Sequence, residues 1–178
     1  MQLKKMLMLL SLAVASSVSV AAEAQSEHAH AAGHAHGSDD VAEYAAIGQP
    51  GAASQVKRTL TIEMSDAMRF SPAEIQVKRN ETVRFVVRNT GLLKHEMVLG
   101  TQAELKEHYA LMKKNPEMEH ADPNMITLSP GQKGEIIWTF SKAGVVEFAC
   151  LQPGHYDAGM KGRVTVSSAT DTHANHQH

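Results

Sequence analysis

From residue 57 onward the chain is built of short runs in which hydrophobic and polar side chains alternate. Arg58 to Met64 alternates in this way, and Ile75 and Val77 alternate with Glu74 and Gln76. A period of two puts successive side chains on opposite faces of a strand. Thr82 to Arg88 is rich in β-branched residues, which suit a pleated surface. His95 to Leu99, Ile126 to Leu128, Gly134 to Phe140, Val145 to Ala149 and Lys161 to Val166 read as further strands. Turns are predicted at Phe70-Ser71-Pro72, at Arg79-Asn80-Glu81, at Asn89-Thr90-Gly91 and at Ser129-Pro130-Gly131, where glycine, proline and asparagine supply turn geometry. Many short strands between such turns predict an all-β protein, an antiparallel β-sandwich.

One segment departs from the period of two. Gln102 to Lys114 is made of good helix formers, with Leu105, Tyr109 and Met112 on one face. Asn115-Pro116 stops it. The pattern predicts a helical insertion packed on the sandwich, continuing into irregular chain over 117–124.

The chain before residue 57 has no such period. Lys4 and Lys5 precede an apolar stretch from Met6 to Val20, and Ala22-Glu23-Ala24 offers a small-x-small cleavage site. Residues 1–24 are therefore read as a signal peptide, its apolar run too short for a membrane span. Export to the periplasm is expected, with no membrane association after cleavage. Cleavage would leave 154 residues, enough for one domain with a core. Loss of Lys4, Lys5 and Glu23 takes the formal charge from −2 to −3. That balance, with no basic patch, argues against nucleic acid as a partner. Residues 25–56 are predicted to be a disordered leader and linker carrying His28, His30, His34 and His36. Residues 57–167 form the ordered domain, and 168–178 a second His-rich tail with His173, His176 and His178. Histidine tracts capture divalent transition metals, Cu(II) most tightly, or serve only as solubilising tails.

Candidate chemistry gathers around the single cysteine. Cys150, His155 and Met160 follow one another at Cys-x4-His-x4-Met, directly after a predicted strand. Pro153-Gly154 and Gly159 allow the loop to bend so that the three donors meet. Taken singly, a cysteine is a small buried hydrophobe and a methionine fills core. A cysteine near a histidine is also a candidate nucleophile. Together, thiolate, imidazole and thioether with a second imidazole make the donor set of a blue-copper site. An unpaired thiol in an exported protein is open to oxidation unless a metal holds it. The remaining histidines of the domain are His95, His108 and His120. His95 opens a strand after a glycine-containing loop, whereas His108 on the helix and His120 in a polar loop are read as solvent-facing. His95 is therefore assigned as the fourth donor.

His95, the Cys150–His155–Met160 loop, Met68 to Pro72 and Thr82 to Val87 together resemble the cupredoxin family. The loop spacing is similar to that of rusticyanin and auracyanin, and the His-rich leader and Met-rich insertion to periplasmic copper-tolerance cupredoxins. The resemblance covers about residues 57–167. It implies a Greek-key sandwich with one type 1 copper near one end, equatorial His95, Cys150 and His155, and axial Met160. It also implies an electron exit through His155. Several relatives carry an amide or hydroxyl residue directly after the first histidine, tying the ligand loops together, where this chain has Glu96. An ionised carboxylate only accepts hydrogen bonds, and its charge favours Cu(II).

Met112, Met118, His120 and Met125, with Met97 and His108 as neighbours, collect further soft donors that suit Cu(I) or simply fill core. Three function classes follow. Copper binding for tolerance explains the extra metal-capturing segments, with copper ions as the partner. A soluble one-electron carrier would need a redox partner protein. A copper enzyme would need a further copper centre and more than one such domain, so the chain is read as a non-enzymatic monomer.

Overall fold

A computed structural model describes residues 44–168, apart from 117, 119 and 120. The predicted signal peptide, both histidine tracts and His120 lie outside the described residues. Two five-stranded sheets face one another. The first runs β1 (Gln49–Pro50), β8 (Lys133–Phe140), β5 (Glu81–Asn89), β2 (Arg58–Ser65) and β3 (Arg69–Ser71). The second runs β4 (Glu74–Lys78), β10 (Lys161–Ser167), β9 (Gly144–Ala149), β6 (His95–Gly100) and β7 (Met125–Leu128). The inward-facing residues of β2, β4, β8 and β10 alternate with exposed or half-buried ones. Phe85, Trp138, Phe140 and Phe148 fill the space between the sheets.

Three expectations are corrected. The sandwich is mixed rather than antiparallel, because β2 pairs parallel with β5 and β4 parallel with β10. The chain crosses from one sheet to the other between β4 and β5, so strands sharing a sheet are brought together by crossovers as well as hairpins. The stretch expected as linker is ordered from Tyr44 to Val56. Tyr44 and Ile47 are buried, Tyr44 meets the Trp138 ring edge-on, and Trp138 Nε1 donates to the Ile47 carbonyl. Finally, Phe70 lies within β3 rather than in a turn; the turn lies at Ser65–Met68, where Met68 N donates to Ser65 O.

Strand β6 is buried at all six positions. One of its faces looks into the sandwich, and the other is covered by α1 (Gln102–Lys114). Thr101 caps α1: its hydroxyl accepts from Glu104 N–H while the Glu104 carboxylate accepts from Thr101 N–H. Leu105, Tyr109 and Met112 then pack on Val98, Ala149, Leu151 and Tyr156. The insertion thus seals the flank of the two strands that carry the predicted donors.

Candidate metal centre

Strand register assembles the site. In the antiparallel β6–β9 pair, Val98 lies opposite Ala149, so the residues just before Val98 run beside those just after Ala149. His95 and Cys150, far apart in sequence, meet at that end. In the β9–β10 pair Ala149 lies opposite Lys161, which sets Met160 beside Cys150. Between them the loop closes on itself. Cys150 N–H donates to Met160 O at 3.1 Å, and Met160 N–H to His155 O at 3.0 Å. Gly154 and Gly159 have φ of 87° and 90°, a left-handed conformation that glycine adopts without steric cost. Arg69 anchors the loop from outside, donating to Ala158 O at 3.0 Å.

The donor atoms face one another. Cys150 Sγ is 3.3 Å from His155 Nδ1 and 4.0 Å from His95 Nδ1, and the two Nδ1 atoms are 3.2 Å apart. The point equidistant from these three atoms lies about 2.1 Å from each, close to the ~2.0–2.3 Å bonds that a first-row metal makes to imidazole and thiolate. His95 and Cys150 are fully buried and His155 half-buried. Met160 is fully buried in the same core as Cys150. Two imidazole nitrogens and a thiolate sulfur converging on one point fit copper in a trigonal plane.

The surroundings prepare these donors. Asp66 Oδ1 lies 2.9 Å from His95 Nε2; as acceptor it keeps the proton on Nε2 and leaves the Nδ1 lone pair for a metal. The same carboxylate accepts from Leu92 and Leu93 N–H. Those bonds, the Leu92 one first, hold Asp66 below its usual range. A side chain at Gly91 would collide with Asp66, its Cβ falling 2.0 Å from Oδ1. Burial pushes the Cys150 thiol up to about 12, although Glu96 N–H donates to Sγ at 3.4 Å. Burial, and then neighbouring His95, push His155 below the ordinary imidazole value.

Glu96 does what the amide or hydroxyl was expected to do, by accepting. Its Oε1 accepts from Leu151 N–H at 2.8 Å, and its Oε2 accepts from Gln152 Nε2 at 3.2 Å and from Thr127 Oγ1 at 3.3 Å. One buried carboxylate therefore ties β6, β7 and the Cys150 loop together. Asp66 was missed by sequence reasoning; the only signal was its place in a turn between two strands. His108 is half-buried rather than solvent-facing, because α1 turns it toward a cavity it shares with Tyr44 and Asp122. Met97 points into the sandwich core, away from Met112 and Met125 on the helix side.

Residues 56–167 match the family described as copper binding proteins of the plastocyanin/azurin type. The chain belongs to that family. It is 51% identical over 140 residues to the copper-resistant cuproprotein CopI of Rubrivivax gelatinosus, covering 76% of this chain and 85% of the relative. It is 38% identical over 150 residues to the CopI of Pseudomonas aeruginosa, covering 68% and 82%. The crystal structure of reduced auracyanin from Roseiflexus castenholzii superposes with a TM-score of 0.54 at 25% identity, over 63% of this chain and 98% of that one. The two-sheet β architecture and the copper-binding character expected from the sequence are thereby established.

Proposed function

We propose that the chain is a periplasmic type 1 copper protein serving copper tolerance. In this reading His95, Cys150, His155 and Met160 would hold the copper. The observation that carries it is the meeting of His95 Nδ1, Cys150 Sγ and His155 Nδ1 within 4.8 Å of one another at a buried point. Two relatives named as copper-resistant cuproproteins support the physiological side.

Copper held there supplies a one-electron Cu(I)/Cu(II) couple. The chain supplies the rest. Asp66 fixes the His95 tautomer, Glu96 N–H meets the sulfur, and the β6–β9–β10 register holds the donors in place before any ion arrives. The protein acts as a monomer without turnover of a substrate. Among the described residues no helix is long and apolar enough to cross a membrane, and periplasmic residence rests on the N-terminal signal.

A soluble electron carrier is the second reading. It is favoured by half-buried His155 and by exposed Leu92 and Leu93 on the loop leading to His95. A deletion strain separates the two. Copper sensitivity with normal respiration is expected; impaired respiration with normal copper tolerance would replace the first reading by the second. Copper(II) added to the mature protein should give intense visible absorption, absent in Cys150→Ser. A colourless wild-type protein would sink both.

A further inference from the structure

A cavity of about 240 Å³ lies beside the metal centre, on the side covered by α1. Met112 reaches it from α1, Met125 from the start of β7, and Met118 from the chain between them. Met112 and Met125 are nearly buried, at 2% and 8% exposure, whereas Met118 is 44% exposed. Methionines that only fill core close up the space between them. Here three thioethers from three places in the chain border one open volume. Lys94, Glu96, Thr127, Ser129 and Gln152 also line it, so the volume is soft on one side and polar, with one cation and one carboxylate, on the other. An apolar void would have no such wall.

Thioethers select Cu(I) over the harder divalent ions. We propose that this cavity is a second metal site, selective for Cu(I) and held by the sulfurs of Met112, Met118 and Met125. Glu96 borders both places: it follows His95 in β6, and its carboxylate holds the Leu151 N–H next to Cys150. The site would give a copper-tolerance protein a place for the reduced ion that leaves the first centre filled. It depends on its own donors and not on the ligand set proposed for that centre.

The test uses the full chain with methionine methyl groups labelled with ¹³C. The first centre is loaded and reduced, and a further equivalent of Cu(I) is delivered as its bicinchoninate complex. The Met112, Met118 and Met125 methyl signals should shift together and saturate with one additional ion, while Met160 stays still. Met118→Leu combined with Met125→Leu should weaken that step at least about tenfold, the low end of what disturbing a metal's support costs. The visible colour of the oxidised protein should not change. Met118→Leu alone, at an exposed position, guards against a variant that fails to fold and should weaken the step in the same direction. If the three methyl signals stay in place while copper goes to the histidine tracts, or if the double variant binds as before, the site does not exist. Shifted methyl signals in a protein that never colours would leave this site standing and defeat only the type 1 reading.

Discussion

Cys150 keeps its proton and Asp66 gives its proton up, and both effects bear on copper. Burial keeps the Cys150 thiol protonated at neutral pH, yet only the thiolate ligates. Copper(II) uptake at pH 7 should therefore release about one proton per ion, since metal binding deprotonates its ligands. His155 adds none, because burial and His95 already keep it neutral there. A pH-indicator titration checks this, and Cys150→Ser should release about one proton fewer. Asp66 stays ionised, held low by the Leu92 and Leu93 N–H groups and by His95. Asp66→Ala frees the His95 tautomer and should lower Cu(II) affinity by about 10–100-fold, the usual effect of losing a group that orients a ligand. Competition with a chelator of known affinity measures it; unchanged affinity would show that the β6 strand alone orients His95.

Among the secondary-structure elements, β6 does most to join the parts. It carries His95 at its start, and Glu96 braces the loop after β9 through Leu151 and Gln152. In the structure Glu96 acts as an acceptor, from Leu151 N–H, Gln152 Nε2 and Thr127 Oγ1. What the sequence could not show is that an acceptor suffices, because the group across from it is a backbone N–H. Glu96→Ala strands that N–H in a buried place and should cost about 1–3 kcal/mol in denaturant unfolding. A variant as stable as wild type would mean that water replaces the carboxylate. The helix adds a second brace: Tyr109 OH donates to Asp157 at 2.7 Å and accepts from Gly154 N–H at 3.0 Å, both on the ligand loop. Its bounds and its buried face were legible in the sequence, because a helix is specified by contacts three and four residues apart.

In the molecule as a whole, the segment from Tyr44 to Val56 belongs to the sandwich rather than to a linker. Its two-residue strand pairs with β8, and Tyr44 packs on the only tryptophan of the chain. Removing residues up to 56 should expose Trp138 and shift its emission to longer wavelength; an unshifted spectrum would mean the segment lies loosely on the sheet. Such a strand escapes sequence reading because two residues carry no period and Gly48-Gln49-Pro50-Gly51 reads as a turn. By itself the sequence determined most strands from β2 onward to within a residue or two, the helix, and the grouping of Cys150, His155 and Met160 on one loop, since alternation, helical spacing and a short loop are local patterns. Only the tertiary structure decided that β2 runs parallel to β5 and β4 parallel to β10. It alone brought His95 and Asp66 to the sulfur and put three methionines around one cavity. Those outcomes depend on which strand lies beside which and in what register, and that is fixed by how the two sheets bury their common core.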